Sequence, residues 1–277
     1  MAAVPFEERD LTGRSVLITG ASRGIGATLA VALAKRGVGH LHLAARSAEA
    51  LEATAALCRE AEGATTPDAA TADAAPTCSV TCHAVDLGGG PAAAQGLLAA
   101  VGESTPSLDI LVVNAGMMPG YGAPPPGVPD ALEEACFAVN LVGAHFVVKA
   151  ALPLLTAARE GEGSDAFERT VVFTSSNESY LERPSDGNGL LAYRASKAGL
   201  NGLMVGLHAL YGVSADENIQ ATFIRGSSEP PIRRICAVHP GYTQTALGHE
   251  SEKEMEPDLT VEEVAKRKGE DGDFYHS

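Results

Sequence analysis

Along the 277 residues, short apolar runs rich in Leu or β-branched residues alternate with longer Ala-rich stretches. The runs at 15–18, 40–45, 80–86, 109–113, 170–174 and 234–238 are nearly continuously apolar, as strands covered on both faces must be. The stretches at 24–36, 48–61, 91–101, 130–155 and 191–211 have the length and composition of helices. This alternation predicts one α/β domain, a doubly wound parallel sheet with helices on both faces. No internal repeat is present. The segments 63–76, 159–168 and 214–231 break the pattern and read as surface loops, because the strands flanking each still belong to one sheet.

Composition narrows the partners. Apolar residues make up 45% and charged residues 20%, ordinary values for a globular chain with a sizeable core. With 20 Lys+Arg against 35 Asp+Glu the formal charge is −15, which argues against a general nucleic-acid or anionic-membrane binder. A small anionic ligand held by a few local cations stays compatible. Thirty glycines and no tryptophan fit a core packed with Ala, Val and Leu between Gly-rich turns. The start MAAVPFEERD lacks the basic and then apolar run of a signal peptide, and no stretch approaches about 18 uninterrupted apolar residues. Five scattered cysteines fit a reducing, cytoplasmic compartment. Cys78, Cys82 and His83 lie close together, but their spacing matches no zinc pattern, so no metal site is expected.

The first strand runs straight into Thr19-Gly20-Ala21-Ser22-Arg23-Gly24-Ile25-Gly26 and then a helix. Glycines there let the backbone turn tightly, approach a pyrophosphate and pack helix against strand. The helix amino end offers free N–H groups and a positive dipole to the phosphate. The second strand ends in Ala45-Arg46, without the acid that would take the adenosine ribose hydroxyls. Arg46, with Arg23 in the glycine loop, can instead grip a 2′-phosphate, which favours NADP over NAD.

These residues resemble the short-chain dehydrogenase/reductase family, whose cofactor loop T-G-x-x-x-G-x-G is matched by Gly20, Gly24 and Gly26. The resemblance implies a Rossmann-like single domain. The spacing also disfavours the epimerase-like branch of that family. By the same resemblance Asp86, followed by Leu87, contacts the adenine amino group. Asn114-Ala115-Gly116 matches N-N-A-G with Val113 in place of the first Asn, and its small residues lie against the adenosine.

Tyr193 and Lys197, four apart at the start of a helix, share one face. An ammonium beside a phenol favours phenolate and should lower the tyrosine pKa toward neutrality. The family resemblance makes Tyr193 the proton donor or acceptor, and Lys197 a ligand of the nicotinamide ribose as well. The serine that polarises the substrate carbonyl is Ser176, the second of the pair ending the fifth strand, with Ser175 as second choice. Ser176 lies 17 residues before Tyr193, longer than the usual family spacing. Tyr180, at the usual spacing, is too bulky to substitute. Asn140, inside the 130–155 helix, kinks that helix in the family and holds a water for a proton relay through Lys197. After the sixth strand, Pro240 and Gly241 shape a turn, with Thr243 nearby and Thr245 against the nicotinamide carboxamide. His239 reads as a packed strand-end residue.

The segments 192–201 and 239–242 look most like the C-factor-like subgroup of the family. The resemblance covers about 15–247 and implies an NADP-dependent oxidoreductase, a carbonyl reductase, interconverting a small-molecule carbonyl and a secondary alcohol. The region from 248 onward is atypical: 249–273 holds ten acids against four Lys/Arg, with a capping-box start at Thr260 and Glu263. A shortened substrate lid is therefore expected, and a homodimer through the 130–155 and 191–211 helices. The long Ser176–Tyr193 spacing and the short tail leave one rival class, a non-catalytic dinucleotide-binding signalling or interaction protein.

Overall fold

A computed structural model describes residues 11–63, 78–119, 127–157, 169–179, 190–211, 232 and 234–240. Of the loop expected at 63–76, Gly63 instead ends a helix and the rest lies outside the described residues, as do the loops expected at 159–168 and 214–231 and everything from 241 onward.

Six parallel strands form the sheet: β1 (Ser15–Thr19), β2 (His40–Ala45), β3 (Ser79–Ala84), β4 (Ile110–Val113), β5 (Thr170–Thr174) and β6 (Arg234–Val238), in the order β3-β2-β1-β4-β5-β6. The direction of winding reverses between β1 and β4, and the crevice beyond that switch point is where such sheets take their ligands. Successive residues point to opposite faces. Val16, Ile18, Leu41, Leu43, Ile110 and Val112 meet α1 (Gly24–Lys35) and α2 (Ala48–Gly63) on one face. Leu17, Leu111, Val113, Val171 and Phe173 meet α3 (Gly90–Ser104), α5 (Ala144–Thr156) and α6 (Leu191–Tyr211) on the other. Burial on both sides explains the unbroken apolar runs, each large side chain contributing about 1.5–3 kcal/mol of transfer free energy.

Three expectations are corrected. The third strand ends at Ala84 rather than at residue 86, because its partner β2 ends at Ala45, the last residue in register with it. The helix expected over 130–155 is α4 (Asp130–Phe137) and α5 joined by a π turn, Ala138–Gly143. Asp109 is not in β4. It is a buried carboxylate that accepts from the Ser15 N–H (2.8 Å) and the Ser15 hydroxyl (3.1 Å), locking β1 to β4 at their amino ends. The Asp130–Thr156 run is long and apolar enough to cross a membrane by length and composition alone. Its buried positions, among them Cys136, Asn140, Gly143, Ala144, Val147, Ala151 and Leu155, recur at helical spacing.

Cys82 and His83 are neighbours in β3 and so face opposite sides of the sheet. Cys82 packs beside α2, whereas His83 stacks on His42. The two cannot share an ion. Instead His42 Nδ1 lies 3.0 Å from His83 Nε2, His42 Nε2 lies 2.8 Å from Thr105 Oγ1, and Thr105 Oγ1 lies 3.3 Å from His40 Nδ1. His42 is fully buried, and burial, followed by the charges of His83 and His40, lowers its pKa from 6.5 to about 4.

A histidine held neutral when folded but free to protonate when unfolded stabilises the protein fully only above pH 6.5, and that stability is lost as pH falls toward 4. Two and a half pH units correspond to roughly 3 kcal/mol. Urea unfolding midpoints should therefore drop between pH 7.5 and pH 4.5, and His42→Gln should flatten that dependence. An equally steep profile in the variant would assign the effect elsewhere.

Candidate active site

Every predicted site residue within the described part lies at the carboxyl edge of the sheet, and each glycine of the first loop has its own steric reason. Gly20 has φ +69°, and a Cβ there would come within 2.7 Å of the Ala115 Cα. Gly24 has φ +56°, a conformation that favours glycine. A Cβ on Gly26 would strike the Gly20 carbonyl oxygen and come within 2.7 Å of Asn114 Nδ2. The bare backbone thus brings the start of α1 against the end of β1. Arg23, the N-cap of α1, makes no side-chain cap, and the first turn holds no acid. Its N–H groups and dipole are consequently available to an anion. Ser22 and Ile25 are half-buried in the loop, while Arg23 and Arg46 are exposed. The loop sits beside the end of β2, with Gly20 N–H donating to the Ala44 carbonyl (2.7 Å), so both arginines belong to one edge.

Asp86 is exposed past β3, where one carboxylate oxygen accepts from Gly88 N–H (2.9 Å) and the other is left toward solvent. The side chain of Leu87 is buried in the core. Asn114 Nδ2 donates to the Thr19 (3.1 Å) and Gly20 (3.2 Å) carbonyls, and its Oδ1 accepts from the Thr174 hydroxyl (3.0 Å). Its own N–H and that of Ala115 reach Thr19 Oγ1 at 3.0 and 3.1 Å. Asn114 is therefore a staple joining the ends of β1, β4 and β5.

At the other end of the crevice, Ser176 leaves β5, and its hydroxyl is hydrogen-bonded to the Tyr193 hydroxyl from the first turn of α6. Ser175 is engaged elsewhere, donating to Asn201 Oδ1 at 2.6 Å, so Ser176 is the serine presented to Tyr193. Buried Lys197 donates to the Thr174 carbonyl (2.8 Å), and its ammonium is 5.8 Å from the centre of the Tyr193 ring. Asn140 occupies the π turn. Its Oδ1 accepts from Met117 N–H (2.8 Å), and its Nδ2 donates to the Met117 carbonyl (2.8 Å) and Ser196 Oγ (3.0 Å). Gly116 lies between these groups: a Cβ there would stand 3.4 Å from Lys197 Nζ and 3.5 Å from Asn140 Oδ1. Pro240 is buried just past β6, whereas Gly241, Thr243 and Thr245, like Tyr180, lie outside the described residues.

The expected depression of the Tyr193 pKa is not found. Burial pushes it upward, with the charges of Cys136 and Glu178 acting the same way and the Ser176 hydrogen bond opposing them. The Lys197 ammonium is 5.8 Å from the centre of the Tyr193 ring, and burial lowers its own pKa to about 8. His239 is the packed residue expected of it. Its Nδ1 is 2.9 Å from the Ser176 carbonyl, which can only accept, so Nδ1 carries the proton.

Residues 14–225 match the family described as short chain dehydrogenase. The chain belongs to that family. Among its relatives, the short chain dehydrogenase tazN of Aspergillus terreus is 31% identical over 207 residues, covering 73% of this chain and 39% of that protein. The L-rhamnose 1-dehydrogenase (NAD(P)(+)) of Sphingomonas sp. is 29% identical over 198 residues, 70% of this chain and 65% of that one. The chain thus spans less than two thirds of the length of either. The alcohol dehydrogenase of the archaeon Thermococcus sibiricus, complexed with 5-hydroxy-NADP, superposes with a TM-score of 0.65 at 25% identity over 91% of this chain and 87% of that one.

Sequence reasoning missed the residues that hold the four central ones. Thr174 bears the acceptor for Lys197 and the donor for Asn114, and Ser196 links Asn140 to the Tyr193 carbonyl, to which it donates at 2.7 Å. The buried Cys136 thiol lies 3.3 Å from Asn140 Nδ2, one turn upstream on the same face. Helical spacing was the available signal for the last two, Ser196 lying three residues after Tyr193 and Cys136 four before Asn140.

Glu178 is paired with Arg194 (3.5 Å), so the pair sets the charge felt by Tyr193. Glu178→Gln should lower the Tyr193 pKa and Arg194→Gln should raise it, because each removes one charge of opposite sign near the phenol. Phenolate absorbance, taken as the difference between each variant and its Tyr193→Phe counterpart, reports this directly. Shifts of the same sign in both variants would rule out the charge explanation.

Proposed function

We propose that this short-chain dehydrogenase is an NADP-dependent oxidoreductase that interconverts a carbonyl and a secondary alcohol, acting as a carbonyl reductase on a small molecule. The observation that carries the reading is the meeting of the Ser176 and Tyr193 hydroxyls at the mouth of the crevice, with Lys197 and Asn140 behind them. The crevice suits a dinucleotide. Gly20, Ser22, Arg23, Gly24, Ile25 and Gly26 form a cradle that any Cβ at Gly20 or Gly26 would fill, and the amino end of α1 is uncapped by any side chain. Asp86 offers a carboxylate oxygen to the adenine, and the backbone of Leu87, Ala115 and Gly116 forms a wall beside it. Arg23 and Arg46, at the edge where β2 ends without an acid, are the groups assigned to a 2′-phosphate. The neighbour bound to 5-hydroxy-NADP supports that choice. Gly241, Thr243 and Thr245 are assigned to the nicotinamide end.

The bound cofactor supplies hydride to the carbonyl carbon. The chain's own part is proton and charge handling. Ser176 donates a hydrogen bond to the carbonyl oxygen, and Tyr193, kept protonated by its burial, delivers the proton to that oxygen. Lys197, with a pKa of about 8, exchanges protons near neutrality and passes charge toward Tyr193. Asn140, fixed by both polar atoms of Met117, holds the water that reconnects the relay to solvent. The exposed Leu132, Phe137 and Val142 on α4 and the π turn, with Leu191, Val205 and Leu210 on α6, favour a homodimer through those helices. The five scattered cysteines and the −15 charge favour a reducing cytoplasm, with no nucleic-acid or membrane partner. The segment 192–201 keeps the C-factor-like subgroup as the finer placement.

Purified protein should oxidise NADPH when offered a panel of ketones, aldehydes and quinones. Tyr193→Phe should lower kcat by about 10²–10⁴-fold while still binding NADPH. Full turnover in that variant would sink the mechanism, and tight NADPH binding without turnover on any carbonyl would favour the non-catalytic binder. Arg46→Ala should raise the Kd for NADPH about tenfold or more, the worth of a charge-assisted contact, and leave NADH unchanged. Equal weakening of both cofactors would remove the 2′-phosphate assignment.

A further inference from the structure

We propose that Asn201 is a positioning residue for Ser176, acting through a closed set of hydrogen bonds on both sides of that serine. The Ser175 hydroxyl donates to Asn201 Oδ1 at 2.6 Å, and Asn201 Nδ2 donates to Ser179 Oγ at 2.9 Å. The Ser179 hydroxyl in turn donates to the Ser176 carbonyl at 2.6 Å. The polarity of this circuit is forced. The one hydroxyl proton of Ser179 goes to a carbonyl that can only accept, so Ser179 must accept from Asn201. The amide nitrogen therefore faces Ser179, and the amide oxygen is left for Ser175.

The place of Asn201 on its helix explains why this matters. It lies four residues after Lys197 and eight after Tyr193, on the same face of α6. A single amide ties the chain immediately before Ser176 and the turn immediately after it to the helix that bears the other two reacting side chains. Ser176 and Tyr193 are 17 residues apart, so chain connectivity alone leaves their hydroxyls far from registered. Ser175 and Ser179 are both buried, which keeps water from competing for these bonds. The Ser176 carbonyl is further held by His239 Nδ1 from β6 (2.9 Å), and Glu178 N–H reaches Ser176 Oγ (3.2 Å). Of these anchors, Asn201 is the one that joins Ser176 to α6 by two links at once. Its effect is geometric: it holds the serine hydroxyl at the distance from Tyr193 that lets both reach one carbonyl oxygen.

This rests on the carbonyl-reductase reading, and a double-mutant cycle separates the two. Asn201→Ala should lower kcat about 10- to 100-fold, the cost of an ångström-scale misplacement, with the Kd for NADPH unchanged. Asn201→Asp, which still accepts from Ser175, should recover part of that loss. In a Ser176→Ala background, Asn201→Ala should change the residual kcat by less than about twofold, because the group it positions is gone. A merely structural asparagine would multiply the two losses. Should Asn201→Ala fail to fold, Ser179→Ala cuts one link only and is expected to show the same dependence on Ser176. Wild-type protein without turnover, or Ser176→Ala with full turnover, overturns the reductase reading and this inference with it. A normal loss in Ser176→Ala together with full or multiplicative effects of Asn201→Ala overturns the positioning role alone.

Discussion

One side chain, Asn114, ties the two halves of the crevice together. Parallel strands meet only through ladder hydrogen bonds, and these stop where the strands end, at the edge where the chemistry must sit. Asn114 continues the connection past that point. It takes the carbonyls of Thr19 and Gly20 on the cofactor side and the Thr174 hydroxyl on the other. The Thr174 carbonyl then receives Lys197, so three side-chain hydrogen bonds, running through Asn114 and Thr174, connect the glycine loop to Lys197. The same amide explains why Gly26 must be glycine, since a Cβ there would push Asn114 out of place.

The second constraint is the burial of the polar face of α6. Tyr193, Ser196, Lys197 and Asn201 all project from that helix into regions with little water, and burial disfavours the charged forms of Tyr193 and Lys197 alike. A phenolate–ammonium pair is consequently not the resting arrangement. Burial favours the protonated tyrosine and weakens the hold of Lys197 on its proton. The lysine's ammonium donates to the Thr174 carbonyl. Its influence on Tyr193 is thus weaker than their four-residue spacing alone suggests.

Much of this was legible in the sequence, and the limits have physical causes. β2, β5, β6 and α6 were readable almost to the residue, because apolar runs with polar boundaries are local signals. The glycine loop and the Tyr193–Lys197 pair were readable because their chemistry depends on short spacings. The π turn was not, since it alters hydrogen bonding without altering composition. The stapling role of the Asn114 side chain was not legible, because its partners lie 94 and 60 residues away, beyond any periodicity. The direction of the Tyr193 shift was misjudged for a related reason: helical spacing reveals neighbours on one face but not how deeply that face is buried.

The π turn shows how these levels meet. Its extra residue rotates Asn140 toward Met117 and Ser196, and Gly143 ends the turn where a Cβ would stand 2.7 Å from the Leu87 carbonyl. A regular helix through Asn140 would have to satisfy that amide within its own turns or leave it unpaired in the core, at a cost of about 1–3 kcal/mol. The distortion is therefore held in place from both ends, by glycine backbone against the Leu87 turn and by side-chain bonds to the loop after β4. Irregular backbone in the middle of a long helix commonly marks a working site. Here its effect is specific: it brings a neutral amide between the loop after β4 and the helix that carries Tyr193 and Lys197.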